Sequence, residues 1–100
     1  MPVKLTIVFG PPTDPDAFER HYVGIHVPLV NDLPGLRAYE YGRVLPNFDG
    51  SPSEAFWIAA LTFDDADAMR ESFASEAGRL TIEDNPKFLT GTMKTYVSAT

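Results

Sequence analysis

DPDAFERHYVGIHVPLVNDLPGL, residues 14–36, is the stretch whose periodicity decides how this chain folds. Asp14 suits a helix N-cap, Pro15 the first helical position, and Asp16 and Glu19 the positive end of the helix dipole. Phe18, Tyr22, Ile25 and Leu29 then recur at spacings of four, three and four, which predicts a helix with one apolar stripe. Leu33-Pro34-Gly35 closes the segment in the order that a type II turn prefers.

The same stretch holds both histidines of the chain. On a regular helix, residues five apart project about 140° from one another. His21 and His26 are therefore expected on opposite flanks of the apolar stripe. Zinc-binding pairs use positions four apart, and no cysteine or third histidine exists to complete a site, so no metal is expected. His21 reads as a boundary side chain that packs its ring and wets its tip. His26 carries a second signal, because Pro28 has no N–H for the carbonyl of Gly24. A kink or helix end there would turn His26 toward the space between helix and sheet. An imidazole so placed suits general acid–base chemistry, with an ordinary pKa of ~6.5 that burial would lower. Its structural alternative is a histidine that bonds the freed carbonyl and stiffens the helix end.

Outward from this segment the chain alternates between strands and helices. Val3, Leu5, Ile7 and Phe9 share one face of a first strand, ended by Gly10-Pro11-Pro12. Residues 36–45 and 55–63 read as two further strands, separated by the turn cluster PNFDGSPS at 46–53. The third strand is apolar on both faces, with Trp57, Leu61 and Phe63 against Phe56 and Ile58, so both faces need cover. Asp64 or Asp65 caps a second helix whose stripe is Ala66, Met69, Phe73 and Ala77, with Gly78 expected at its C-terminal cap. Residues 79–89, with Asn85-Pro86, read as a turn, alone or with a short helical piece, and 92–97 as a last strand. The order β-α-β-β-α-β predicts an α+β, ferredoxin-like antiparallel sheet with both helices on one face. The other face is left open, and a homodimer with sheets packed together is the expected solution.

Composition closes off several classes of function. One hundred residues suffice for one domain, 1–100, and not for two. The net charge is −6 and the eight Lys and Arg are scattered singly, so a nucleic-acid partner is not expected. The absence of cysteine removes thiolate chemistry and disulfides. No apolar run approaches the ~20 residues of a bilayer span, and the first residues lack a signal-peptide pattern, so a cytoplasmic location without membrane contact is the expectation. Neither a dinucleotide loop nor a nucleophilic serine elbow is present.

A strand ending in GPP, a helix carrying DPDAFERHYVGIHVPL and then LPGL before an aromatic strand together resemble the EthD family. That family is named for a protein tied to ethyl tert-butyl ether degradation and belongs to the dimeric α/β-barrel superfamily. His26-Val27-Pro28-Leu29 and Leu33-Pro34-Gly35-Leu36 are the most specific parts of the match. The resemblance implies a two-sheet barrel made by dimerisation. It does not choose an activity, since related barrels include isomerases, polyketide cyclases, cofactor-independent monooxygenases and haem-binding enzymes.

The expectation that follows is a protein binding a small apolar or aromatic compound, in catabolism or secondary metabolism, with His26 as acid–base and no cofactor. Phe9, Tyr22, Tyr39, Trp57 and Tyr96 are the aromatic candidates for lining the cavity. Arg37 or Arg43 is the candidate for meeting a ligand carboxylate. Two rivals stand beside this: a non-catalytic accessory or ligand carrier, and a cofactor-independent monooxygenase of the same fold.

Overall fold

The computed structural model describes residues 1–100. Four strands, β1 (Val3–Phe9), β2 (Ala38–Arg43), β3 (Trp57–Phe63) and β4 (Met93–Ala99), form one antiparallel sheet in the order β2-β3-β1-β4. Register places Val3, Leu5, Ile7 and Phe9 beside Phe63, Leu61, Ala59 and Trp57, so the alternation read in β1 fixes the buried face of the sheet. Helices cover that face. The α+β, ferredoxin-like order expected from sequence is the one observed.

The first helical connection runs through α1 (Pro15–His21), a π-helical turn (Tyr22–His26) and α2 (Val27–Asn31). Asp14 caps it as expected, its side chain accepting from the N–H of Ala17. The predicted stripe, however, changes after Tyr22. Phe18, Tyr22, His26 and Val30 are buried, whereas Ile25 is 51% exposed. The cause is the π turn, in which the N–H of Val27 bonds the carbonyl of Tyr22 five residues back. One residue is thereby inserted into the helical ladder, immediately before the Pro28 that cannot donate.

The second connection departs further from expectation. It is two helices, α3 (Ala66–Ala74) and α4 (Glu76–Phe88), and residues 79–88 are helical throughout where a turn, with at most a short helical piece, is expected. Ser75 is extended between them, and its hydroxyl accepts from the N–H of Gly78 to cap α4. Gly78 is therefore in the first turn of α4 and not at a C-cap. A Cβ there would lie 2.4 Å from the carbonyl oxygen of Phe73, so glycine is what lets the two helices meet so closely. Pro86 sits inside α4 near its end, where the missing donor removes a single bond of the ladder.

An aromatic cluster fills the space between sheet and helices. Phe18 stacks on Tyr22 at 5.9 Å, and Phe9, Trp57 and Phe88 meet this pair edge-on or tilted at 5.2–6.0 Å. Truncating any one of these buried rings to alanine costs about 3–5 kcal/mol in comparable cores. The opposite face of the sheet carries Val8, Ile58, Ala60, Lys94 and Tyr96 and has no cover, and every residue of β4 is exposed. No helix is long and apolar enough to cross a membrane.

Candidate functional site

The π turn and α4 together bring three titratable side chains into direct contact. His26 on the turn is 4% exposed and its Nδ1 lies 2.9 Å from Oδ2 of Asp84, itself 2% exposed. His21 reaches the same carboxylate, with Nε2 at 2.9 Å from Oδ1 and 3.1 Å from Oδ2. The expected divergence of the two histidines is therefore not what forms. Inserting one residue makes positions five apart stack, and both imidazoles converge on one buried aspartate. Burial pushes the Asp84 carboxyl up, but the hydrogen bonds from His21 and His26 together outweigh it and hold the group below its ordinary 3.8. An ionised Asp84 can only accept, so each imidazole donates to it.

This fixes what His26 has left to offer. Its Nδ1–H is committed to Asp84, while Nε2 has no partner within the chain and the ring lines a cavity of about 250 Å³ between helices and sheet. Desolvation lowers the pKa of His26 below 6.5 in spite of the opposing pull of Asp84. Near neutrality the ring is thus uncharged, with the lone pair of Nε2 free, which is the form a general base requires.

Leu5 and Ile7 of β1 and Leu61 of β3 make the floor of the cavity, with Val30 and Phe73 as side walls. Tyr22, Thr81, Asn85 and Thr95 supply its other polar atoms. Of the aromatics singled out in the sequence, only Tyr22 shares this cavity with His26. Its hydroxyl meets that of Tyr39 at 2.7 Å, and burial raises the Tyr22 pKa to about 12 and pushes Tyr39 up as well, so both phenols stay protonated. Phe9 and Trp57 lie behind Tyr22 in the aromatic core. Tyr96 is 57% exposed on the opposite face of the sheet, where it lines a separate, open hollow with Lys94 and the 52–55 loop. Neither arginine reaches the cavity: Arg37 is forked onto Asp64 at 2.7 and 2.9 Å, and Arg43 lies over Phe56 beside Glu19.

Asp84 and Asn85 are the residues that sequence reasoning passed over. The available signal was the spacing Thr81, Asp84, Phe88, a helical three-and-four that runs past the breaker pair Asn85-Pro86.

The sheet order and the cavity between its covered face and the helices define a small α+β protein of ferredoxin-like fold. The chain belongs to the EthD family, whose model, described as "EthD domain", matches residues 10–92. It is 35% identical over 88 residues to an uncharacterised 11.0 kDa protein of the thcB-thcC intergenic region of Rhodococcus erythropolis, covering 88% of this chain and 84% of that one. Among solved structures, an EthD family protein of Bacillus halodurans superposes with a TM-score of 0.91 at 26% identity, over 100% of this chain and 99% of that one. SnoaB of Streptomyces nogalater, a cofactor-independent oxygenase, shares the fold at a TM-score of 0.72 and 16% identity, covering 99% and 92% of the two chains. Other structures of this fold are described as dimeric ferredoxin-like proteins of unknown function.

Proposed function

We propose that this chain binds a small, largely apolar organic molecule in the cavity beside His26, and that the imidazole takes or returns a proton there. The observation that carries this reading is the division of labour on one ring: Nδ1 held by buried Asp84, Nε2 without a partner in the chain, and the ring lining a mostly apolar cavity. A carboxylate behind the ring sets its tautomer and stabilises the imidazolium that forms when Nε2 accepts a proton, as in other acid–base histidines. Asp84 acts here as a positioning residue, and His21 holds the second carboxylate oxygen. Such a ring suits isomerisation, elimination or cyclisation at an acidic carbon.

Resonances of the two imidazoles, followed by NMR against pH and against a panel of phenols, aromatic ketones and lactones, test this. His26 is expected to titrate below 6.5 and to shift with one class of compound. For that class, solvent deuterium should enter the acidic C–H faster with the protein than with His26→Ala. Binding without exchange would make the protein a carrier and remove the catalytic half of the reading. Oxygen uptake with an activated phenol would move it to oxygenase chemistry instead.

The proposal includes a homodimer through the uncovered face of the sheet, supported by Ile58 and Tyr96, which are 42% and 57% exposed on a face without helices. Light scattering after size exclusion should give about twice the 11.0 kDa of one chain. A monomer at micromolar concentration sinks this part.

A further inference from the structure

The charge inventory of the cavity narrows what it can hold, an inference that rests on the cavity being a binding site. None of the eight Lys and Arg side chains lines it. Arg37, Arg43, Arg70 and Arg79 are each engaged by surface carboxylates, and Lys4 and Lys94 belong to the uncovered face of the sheet. The charged group bonded to the cavity-lining His26 is the Asp84 carboxylate, of the wrong sign for an anion. A ligand carboxylate seated on Leu5, Ile7 and Leu61 would lose water there and meet no counter-ion in the lining, an unfavourable transfer.

The polar atoms of the wall are not equally available. Thr81 already donates its hydroxyl to the carbonyl of Ala77 at 2.9 Å. Thr95 belongs to the exposed edge strand. Asn85, half-buried and one residue past Asp84 on α4, has no side-chain hydrogen bond within the chain, and its amide is a donor free to meet a ligand beside His26. At about 250 Å³ the space also lies just under the ~300 Å³ at which cavities begin to enclose drug-sized molecules.

We infer that the cavity takes a compact, uncharged ligand of one or two rings bearing a carbonyl oxygen, with the Asn85 amide donating to that oxygen and His26 serving the acidic position of the same molecule. An amide that holds the oxygen also stabilises the negative charge developing on it as His26 removes a proton from the adjacent carbon. The proton goes to Nε2 and the electron pair to the carbon–oxygen system, so Asn85 binds and polarises in one contact.

Three probes of matched skeleton separate the possibilities at pH 8: phthalide, its ring-opened anion 2-(hydroxymethyl)benzoate, and indane, which keeps the rings and lacks the oxygens. Binding is read from the His26 resonances of the whole chain. Phthalide is expected to bind at least tenfold tighter than the anion and several-fold tighter than indane. Asn85→Ala should erase the preference for phthalide over indane while leaving indane itself unchanged; Asn85→Leu repeats the test if the alanine variant loosens α4. An anion that binds as well as phthalide overturns the inference, as does a phthalide preference that survives loss of Asn85. If indane binds and phthalide gains nothing, the inference fails and the binding site stands. If no probe moves His26, both fail together.

Discussion

Two helical connections cross the same face of the sheet, and both are interrupted, in opposite ways. The first absorbs an extra residue and stays continuous through the π turn at Tyr22–His26. The second stops at Ser75 and starts again in a new direction. A regular first helix would have buried Ile25, and full burial of such a side chain is worth about 1.5–3 kcal/mol. The chain instead leaves Ile25 half in solvent and buries an imidazole. The position of His26 is therefore not a by-product of apolar packing; it is held by Val30 following it into the core and by Asp84 receiving it. Asp84 in turn faces the π turn only because α4 restarts after Ser75 and runs on to Phe88. Each interruption supplies half of the histidine–aspartate contact.

The sharpest way to break the comparison is at Gly78. Any side chain there meets the backbone of Phe73, which cannot yield as a flexible side chain would. Gly78→Ala is expected to destabilise by about 3 kcal/mol, lowering the thermal midpoint by roughly 12–24 °C in a domain of this size. The His26–Asp84 contact should loosen with it, since α3 and α4 must part. A midpoint within a few degrees of the parent would show that the break at Ser75 does not set the direction of α4.

Asp84→Ala tests the same contact from the middle. Two imidazole N–H groups lose a buried acceptor, and because the His26 ring can remain neutral the loss is expected near the lower end for broken buried pairs, about 2–3 kcal/mol. Asp84 favours the protonated form of His26, so its removal should drive the already lowered pKa of that ring further down, an outcome NMR reads directly. A His26 that titrates as before would dissociate the ring from the carboxylate.

The pH dependence of stability sharpens the point. His26 titrates lower in the folded chain than its ordinary 6.5, so below that pH the unfolded state binds more protons. Its contribution is complete above 6.5 and is lost as the pH falls toward the folded value. Asp84, depressed below 3.8, adds a second loss only in stronger acid. Urea midpoints should therefore begin to fall just under pH 6.5 in the parent, and His26→Gln should lack that first decline. A parent curve flat from pH 7 to 5 counts against a buried neutral imidazole.

The sheet was legible because its signals are local: alternation in Val3–Phe9 and the Gly-Pro stops specify faces that register then confirms. The inward turn of His26 was legible through Pro28. Asp84 was not, because Asn85-Pro86 looks like a breaker, and only packing against α1 and the π turn shows that α4 tolerates a proline near its end. The π turn was hidden for a deeper reason. Phe18, Tyr22, Ile25 and Leu29 form a sound regular stripe, and the observed Phe18, Tyr22, His26 and Val30 wins through a contact with a residue about sixty positions away. Periodicity alone cannot weigh such a contact against a local one.

The smallest effect has the opposite sign and asks what holds the π turn open. Gly24 sits in that turn, exposed, with a helical backbone and nothing within 4 Å of an added Cβ. If the turn is imposed by its ends, by Tyr22 and Val30 in the core and His26 on Asp84, then glycine's freedom is no asset there. Gly24→Ala should then stabilise the chain by about 0.5–1 kcal/mol by narrowing the unfolded ensemble, with the His26 resonances unmoved. If the turn instead depends on a pliable backbone, alanine will pull the segment back toward a regular helix. His26 would then be drawn out of the cavity and titrate near 6.5. The same substitution thus separates a site built by tertiary contacts from one built by local softness, whereas at Gly78 the equivalent change is forbidden by space alone.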